Sequence, residues 1–566
     1  YNLNELDKAK EAYGKALSIK THYPEAHYNL GICLTKSGEL EEALLAYKRA
    51  LSSKPNHAES FNNMGTVLKK QGKFEEAVEA YSEALLVKPD YDEAYSNMGN
   101  TLKKIRFTRL NPKVQTSIIR LLDHKTYVRP KDLFKPVISL LRCEPFLSIA
   151  FSRSAKDELS YYLRETVSQL SKVPLLLKFM SVSPIFDIEL ETLLRSLRYH
   201  LTMSASKLKG TPEEIKFQSA LALHCFTNEY IFETVNQEIK ATKLIETEVE
   251  KTLASGKQPC AQSLLCLASY KALHEYEWCD LIIVTADLEQ VFERQVSEPK
   301  TERKLKTGFS VLSKISNDIS TKVRDQYEEN PYPRWENIGL PVKPLPISRV
   351  IEEINLRIFD PVINSNYAPQ ILIAGCGTGQ HAITTAARFK HSQVLGIDLS
   401  ISSLAFAERK TKELGIKNLQ YMQADILDVG KLKKQFDIIE SSGVLHHMKD
   451  PIAGLRILNT CLKAGGLMNI GLYSELARKH IIEVKKEISN SGIKATLQEM
   501  RSFRSKIIKS DKTVYKQIQT SYDFYSTSSL RDLLFHTQEH RFTLPQIKKY
   551  LAELDLHFCG FETELL

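Results

Sequence analysis

Three closely spaced glycines form a turn that could bind a nucleoside. Gly375, Gly377 and Gly379 follow the β-branched run 371–374 and precede a helical pattern. Glycines at this spacing let a strand-to-helix turn press its backbone against a bound nucleoside. A dinucleotide-binding turn would have glycine or alanine where this chain has Gln380. The turn therefore predicts nucleoside binding and disfavours a nicotinamide oxidoreductase.

Two aspartates end the next two β-branched runs. Asp398 comes 19 residues after Gly379, at the end of a run where one carboxylate can accept both hydroxyls of a ribose. Asp425 ends the following run, and Ile426 directly after it can cover one face of an adenine. Ligands of parallel sheets bind at the carboxyl ends of the strands. Together with the glycines, these residues indicate a nucleoside site at one edge of a sheet.

The elements that must position these residues are short apolar runs separated by helical segments. The runs cover 371–374, 393–398, 419–425, 436–440 and 466–470. Strands that alternate with helices predict an α/β fold with a doubly wound, Rossmann-like parallel sheet.

Several stretches of this region carry a family resemblance. A-G-C-G-T-G-Q-H, G-I-D-L-S, Q-A-D-I-L-D and F-D-I-I-E-S-S-G-V-L-H-H-M-K-D-P resemble class I S-adenosylmethionine-dependent methyltransferases over residues 321–475. The resemblance implies S-adenosyl-L-methionine as cofactor. One departure is Ala374, where many members have an acidic residue that helps to hold the methionine amine. The implied contacts are Gly375, Gly377 and Gly379 with the amino-acid and ribose part, Asp398 with the ribose, Asp425 and Ile426 with the adenine, and Ser442 beside the sulfonium.

Methyl transfer from a sulfonium is an in-line displacement, so the protein mainly aligns donor and acceptor. A general base is needed when the acceptor is a hydroxyl or a protonated amine. His446 and His447 after the fourth run, and Tyr473 after the fifth, are the candidate catalytic residues. A purely structural role is the alternative for at least one of the two histidines. The N-P-P-Y or D-P-P-Y element associated with methylation of nucleic-acid or glutamine amides does not follow the fourth run.

A proline-rich segment, Asn330-Pro331-Tyr332-Pro333-Arg334-Trp335, precedes the α/β region. Its aromatic and cationic side chains, with those of Tyr327, form either a clamp over the cofactor or part of a rigid linker packed on the core. Near the end of the chain, His536 and His540 have the spacing of neighbours on one helix face, with Glu539 between them. Without a third ligand in sequence, we expect a substrate-covering appendage and no metal site.

The start of the chain repeats every 34 residues. N-x-G triplets begin at Asn29, Asn63 and Asn97, and alanine, tyrosine and proline positions keep the same register. The pattern resembles tetratricopeptide repeats, which implies an α-solenoid whose concave face holds a protein or peptide. In related superhelices an asparagine ladder binds the partner backbone, and the three asparagines occupy that place. The alternative is that asparagine is simply common at this repeat position.

The order of these regions predicts four segments. They are tetratricopeptide repeats at 1–106, an all-helical connector at 107–320, a class I methyltransferase core at 321–475 and a mainly helical appendage at 476–566. The same order is similar to bacterial tetratricopeptide-repeat methyltransferases of unassigned substrate. We therefore predict an S-adenosylmethionine-dependent methyltransferase whose repeat arm recruits a protein or peptide. The alternative is a repeat scaffold for protein interaction with a non-catalytic cofactor-binding domain.

Composition excludes several other classes of protein. The 566 residues are 43% hydrophobic with a formal charge of +9, which is ordinary globular usage without a membrane-spanning run. Nine cysteines without C-x-x-C spacing disfavour a disulfide framework and fit a reducing, cytoplasmic compartment. The basic stretch 478–516 has apolar residues at helical spacing, so it indicates an amphipathic helix rather than a specific nucleic-acid site. Because the sequence begins with Tyr1 inside a repeat, we expect a longer parent array, and a targeting signal could precede it.

Overall fold

A computed structural model of the chain describes residues 3–205 and 210–562. The chain forms two compact units. One comprises Tyr1–Ser152, Lys172–Phe179 and Asn337–Val342, and the other Arg153–Ser171, Met180–Glu336 and Lys343–Leu566. Their limits do not coincide with the four segments expected from the sequence, whose boundaries stay a prediction. No helix of the described residues is both long and apolar enough to cross a membrane.

The repeats form antiparallel helices, as the 34-residue period predicts. Gly31 and Gly65 lie against the rings of Tyr47 and Tyr81, and a Cβ at either glycine would come within 2.7 Å of the ring. Both tyrosines are buried, so each glycine permits the close approach of two helices. The helices of the repeats are α1 (Leu3–Ile19), α2 (Pro24–Ser37), α3 (Leu40–Ser53), α4 (Ala58–Lys70), α5 (Phe74–Val87) and α6 (Asp92–Leu102); α7 (Pro112–Asp123) and α8 (Phe134–Arg142) follow them in the connector.

The connector is mostly helical. Its other helices are α9 (Pro145–Ala155), α10 (Leu159–Leu170), α11 (Pro174–Val182), α12 (Ile188–Met203), α13 (Pro212–Thr227), α14 (Asn236–Ala254), α15 (Ala261–Ala268), α16 (Glu289–Phe292), α17 (Glu298–Leu305) and α18 (Asp318–Glu329). A capping box between Thr211 and Glu214 fixes the start of α13. The prediction of an all-helical connector is wrong at one point, because β1 (Ser310–Val311) joins the sheet as an edge strand beside β4.

The α/β region forms the predicted parallel sheet. Its strands are β1, β2 (Gln370–Ala374), β3 (Gln393–Asp398), β4 (Leu419–Gln423), β5 (Phe436–Ser442) and β6 (Leu462–Gly471). The order is β1-β4-β3-β2-β5-β6, and all neighbours are parallel. The chain winds outward from β2 in both directions, so β2 and β5 flank a topological switch point. The helices around the strands are α19 (Ile347–Glu353), α20 (Gln380–Arg388), α21 (Ile401–Glu413) and α22 (Pro451–Thr460).

The C-terminal region is mainly helical, with α23 (Lys479–Asn490), α24 (Leu497–Ile508), α25 (Thr513–Gln519), α26 (Thr527–Leu530) and α27 (Leu544–Glu553). Met500, Phe503 and Ile507 of α24 are buried, as expected for an amphipathic helix. A π-helical turn at 531–535 follows α26. The expectation that His536 and His540 share a helix face is wrong, because the chain from 536 to 541 has no helical structure.

Candidate cofactor and acceptor site

The glycine turn joins β2 to α20 at the switch point of the sheet. Gly379 has a φ of +82°, and a Cβ there would come within 2.6 Å of Ala407, so only glycine fits without strain. The N–H of Gly377 donates to Asp398 Oδ2 at 2.8 Å. This bond ties the turn to the end of β3. The turn and the first predicted carboxylate therefore form one rigid unit, with Gly375 at its start directly after Ala374.

Asp398 and Asp425 lie at the carboxyl ends of the neighbouring strands β3 and β4. Asp398 Oδ1 accepts from the N–H of Ser400 at 2.9 Å, and burial raises the pKa of this carboxyl. Asp425 Oδ1 accepts from the N–H of Leu427 at 3.0 Å, and the side chain of Ile426 is buried beside it. Each carboxylate oxygen has two lone pairs, so these bonds orient the groups without exhausting them.

The proline-rich segment contacts the glycine turn directly. Trp335 Nε1 donates to the carbonyl of Thr378 at 3.2 Å, and Thr378 Oγ1 donates to the carbonyl of Pro333. A Cβ at Gly377 would come within 2.9 Å of the carbonyl oxygen of Tyr332. The segment is thus packed on the core, as the linker alternative expects, and it lies against the turn on which a clamp would act.

Helix α18, which directly precedes this segment, is bonded to the start of α21. The Glu328 carboxylate accepts from the N–H groups of Ile401 and Ser402 at the start of α21, and Ser400 Oγ donates to the carbonyl of Tyr327 at 3.1 Å. A carboxylate at a helix N-terminus is favourable because it meets unpaired N–H groups. Sequence reasoning did not single out Glu328.

Ser442 ends β5 with its side chain exposed, and it pairs with Gly471 of β6. A Cβ at Gly471 would collide with Ser442 Oγ, so glycine at 471 leaves space for this hydroxyl. Ser442 therefore lies at the same carboxyl edge of the sheet as Asp398 and Asp425.

His446 is fully buried after β5 and lies flat on the ring of Tyr473, with 3.6 Å between the ring centroids. Neither of its ring nitrogens has a hydrogen-bond partner among the described residues. Burial lowers the pKa of His446 to about 2. In this arrangement the ring packs on Tyr473 and makes no hydrogen bond among the described residues, as the structural alternative for one of the two histidines expects.

His447 has one bonded nitrogen and one that faces a carboxylate. Its Nδ1 lies 2.7 Å from the carbonyl oxygen of Gln538, and its Nε2 lies 3.8 Å from Asp532 Oδ1. Because a carbonyl only accepts, Nδ1 carries the proton and Nε2 keeps its lone pair. Burial lowers the pKa of His447. In the neutral ring of His447, Nε2 can therefore accept a proton.

His536 stacks on His447, with 3.6 Å between centroids, but has the opposite tautomer. Its Nδ1 accepts from the N–H of Gln538 at 3.2 Å, so its Nε2 carries the proton in the neutral ring. The side chains of His447, Asp532 and His536 place possible metal-ligating atoms within 4.8 Å of one another, a grouping that sequence reasoning missed. The two tautomers leave His447 Nε2 as the one imidazole nitrogen of the group with a free lone pair. His540 instead contacts the side-chain amide of Gln538.

Tyrosine hydroxyls converge on two aspartates beside His447. Tyr327 OH donates to Asp532 Oδ1 at 2.8 Å, Tyr473 OH to Asp532 Oδ2 at 3.4 Å, and Tyr332 OH to Asp523 Oδ1 at 3.5 Å. Burial, then the carboxylates, raise the pKa values of all three tyrosines well above their ordinary value. The tyrosines therefore stay protonated and act as donors. Sequence reasoning assigned no role to either aspartate, because their partners are distant in the chain.

The predicted asparagine ladder lies on the first helices of the repeats, α2, α4 and α6, with all three side chains half-buried. Asn63 Nδ2 donates to Tyr28 OH at 3.3 Å, and Asn97 Nδ2 donates to Asn62 Oδ1 at 3.0 Å. These bonds link neighbouring first helices. Each amide group retains a second N–H, so its binding capacity is reduced but not removed.

Two kinds of family model match parts of the chain. A model described as a methyltransferase domain matches residues 372–468, and tetratricopeptide-repeat models match 24–57, 46–79 and 65–105. The sheet and the repeat helices thus define two known classes of domain. The chain is a fusion of tetratricopeptide repeats with a methyltransferase domain.

Individual relatives match parts of the chain. An uncharacterized protein of Synechococcus is 28% identical over 34% of this chain and 48% of its own length, and the demethylmenaquinone methyltransferase of Staphylococcus saprophyticus is 28% identical over 21% and 47%. The chain spans about half the length of these curated relatives. Among solved structures, PKMT2 from Rickettsia typhi in complex with AdoHcy shares 21% identity over 38% of this chain and 44% of that one, with a TM-score of 0.29.

Proposed function

We propose that this chain is an S-adenosylmethionine-dependent methyltransferase whose repeats recruit a protein or peptide. The observation that carries the proposal is the set of groups at the switch point of the sheet. A glycine turn bonded to Asp398, with Asp425 on the next strand, offers backbone and carboxylate contacts to an adenosyl group. The matched methyltransferase domain includes all three.

The residues fit the cofactor in chemical type. Gly375, Gly377 and Gly379 would hold its amino-acid and ribose part, and Asp398 its ribose hydroxyls. Asp425 and Ile426 would contact its adenine, and Ser442 would lie beside its sulfonium. When bound, S-adenosylmethionine supplies an electrophilic methyl group. The protein then has to align an acceptor and exclude water, and such positioning can contribute about 7–11 kcal/mol to a barrier.

Among the three candidate catalytic residues, His447 has the properties of a general base. Its Nε2 lone pair faces Asp532, which would stabilise the imidazolium formed when the ring takes a proton. His446 has no partner for either nitrogen, and its pKa of about 2 makes it a very weak base. Tyr473 donates its hydroxyl to Asp532 and has a raised pKa, so it positions that carboxylate.

The repeat unit supports recruitment because its first helices carry aligned polar side chains. Asn29, Asn63 and Asn97 recur at one position of α2, α4 and α6, and each can exchange hydrogen bonds with an extended backbone. A bound segment of this kind raises the local concentration of an acceptor at the enzyme.

A second candidate function is a repeat scaffold with a cofactor domain that does not turn over. One observation favours it: Ala374 ends β2 without the carboxylate that many methyltransferases have there, and its carbonyl is bonded to Ser441 Oγ at 3.0 Å. The two functions differ in methyl transfer, not in cofactor binding.

Transfer of label from methyl-tritiated S-adenosylmethionine to a cell extract freed of small molecules separates the two. We expect acid-precipitable label with the wild-type protein and less than about a tenth of it with Asp425→Asn, because hydrogen bonds that involve a charged group contribute roughly 1.5–3 kcal/mol. No label from either protein while the cofactor binds would favour the scaffold, and equal label from both proteins would contradict the role given to Asp425.

A further inference from the structure

A group of tyrosine, aspartate and histidine side chains meets behind the ends of β5 and β6, and we name it the acceptor cluster. It reaches the carboxyl edge of the sheet because Tyr473 follows β6 by two residues and His447 follows β5. Its remaining members come from distant parts of the chain: α18, the proline-rich segment that follows it, and the turns around 522–524 and 531–535. The cluster consists of Tyr327, Tyr332, Tyr473, Asp523, Asp532 and His447.

The charge of the cluster is negative. Asp532 is 5% exposed and accepts from two tyrosines, and no Lys or Arg of the described residues forms an ion pair with it. Asp523 adds a second carboxylate, and both carboxylates act on Tyr332 and Tyr473. Two cationic side chains in the same region are bonded to Glu539: Arg478, which lies over the Tyr473 ring, and Lys485. A buried carboxylate without a cation is costly unless a ligand supplies one.

The chemistry of the cluster distinguishes among methyl acceptors. An alkylammonium has a positive charge and up to three N–H donors, which the two carboxylates can accept, and its carbon stem can pack on tyrosine rings. A hydroxyl acceptor would bring one donor and no charge. A carboxylate acceptor would be repelled by Asp523 and Asp532.

We propose that the methyl acceptor is an alkyl amine that enters as its ammonium ion, such as a lysine side chain of the recruited protein, and that Asp532 and Asp523 bind it. This inference rests on the proposed methyltransferase function and names its substrate class. The tyrosine rings Tyr327, Tyr332 and Tyr473 surround the alkyl stem.

An ammonium must lose a proton before its nitrogen can attack a methyl group. The proton moves to His447 Nε2, and the electron pair of the broken N–H bond stays on the acceptor nitrogen as its lone pair. The resulting imidazolium keeps its Nδ1–H bond to the Gln538 carbonyl and faces Asp532 Oδ1. The cluster therefore provides the carboxylates that bind the ammonium ion and the histidine that takes its proton.

The test measures acceptor binding without cofactor. Nα-acetyl-lysine N-methylamide is titrated calorimetrically into the full chain, with the corresponding norleucine amide, which keeps the four-carbon stem but lacks the ammonium group, as the matched ligand. We expect the lysine amide to bind at least about tenfold more tightly, and Asp532→Asn to weaken it by about 10–100-fold, since hydrogen bonds to charged groups are worth this much. Asp523→Asn and Tyr332→Phe, which leaves the ring in place, provide second variants if Asp532→Asn unfolds.

Asp511→Asn is the control, because its side chain is 98% exposed and pairs only with Lys516 among the described residues. No preference for the lysine amide, including no measurable binding of either ligand, would overturn the proposal. So would lysine-amide affinity unchanged in both aspartate variants. Titration with S-adenosylmethionine in parallel separates the failures: intact cofactor binding leaves the methyltransferase proposal standing, whereas its loss removes that proposal as well.

Discussion

At the scale of single residues, the backbone of Gln538 sets the tautomers of two histidines. The carbonyl of Gln538 accepts from His447 Nδ1 while its N–H donates to His536 Nδ1, so the stacked rings are neutral tautomers of opposite kind. His447 is left with a lone pair toward Asp532. Because only one ring nitrogen of the stacked pair keeps a free lone pair, the geometry suits acceptance of one proton better than a metal held by both neutral rings.

Replacing His447 tests its role as a base. We expect His447→Gln to lower kcat by about 100–10,000-fold, the usual contribution of a positioned base, and to leave the affinity for S-adenosylmethionine unchanged. His391→Gln, at an exposed position bonded to Tyr367, is the control. Steady-state kinetics with calorimetry measure both quantities. A loss of less than fivefold would show that His447 is not the base.

The pH dependence of kcat/KM should also depend on the ionisation of His447. Burial lowers the pKa of His447 from 6.5, and the neutral ring is the active form, so activity is lost as pH falls through the lowered value. We expect kcat/KM to stay flat through pH 6.5 and to fall only below it, with this limb absent in His447→Gln. An acid limb centred above 6.5 would contradict the assignment. The charged or titratable neighbours that face the ring are Asp532, Glu539, Lys485, His446, His536 and Tyr473.

At the scale of elements, the proline-rich segment and the glycine turn behave as one unit. Trp335 bonds to the turn, Glu328 caps α21, and α21 begins three residues after Asp398. A change in the segment should therefore alter cofactor affinity, although none of its residues is among the predicted cofactor-binding residues.

Trp335→Phe removes the indole donor to Thr378 while keeping an aromatic ring against Phe406. We expect about 2–10-fold weaker binding of S-adenosylmethionine, the equivalent of one neutral hydrogen bond. The chain has one other tryptophan, Trp278, which packs in the helical core of the connector, so Trp278→Phe is the matched control. Equal affinities for Trp335→Phe and the wild type would show that the segment is a passive linker.

At the scale of the whole molecule, repeats and methyltransferase domain should be separable in kinetics. We expect an Asn63→Ala, Asn97→Ala double variant to raise KM for a protein acceptor about tenfold or more, because lost binding groups act before the chemical step. The kcat value and the KM for a small free acceptor should not change. A fall in kcat with unchanged KM would argue that the repeats support the fold rather than recruitment.

The sequence was most informative where function depends on local motifs. The glycine turn, Asp398 and Asp425 each lie at the end of a strand. The alternation of strands and helices, together with the glycines of the turn, was therefore enough to predict the sheet and the edge where the site lies. The acceptor cluster could not be predicted in this way, since Tyr327 and Asp532 meet across 205 residues. The helical spacing of His536 and His540 was misleading, because Gln538 bonds to both stacked rings in a non-helical turn.

The central claim is that an adenosyl cofactor binds at the carboxyl edge of the sheet, and calorimetric titration tests it most directly. S-adenosylmethionine, S-adenosylhomocysteine and NAD are compared on the wild type, Asp398→Asn and the exposed control Asp511→Asn. We expect micromolar binding of both adenosyl ligands and no binding of NAD. Asp398→Asn alone should weaken the affinity for the adenosyl ligands roughly 10–100-fold. Absence of adenosyl binding, or affinity unchanged in Asp398→Asn, would contradict it.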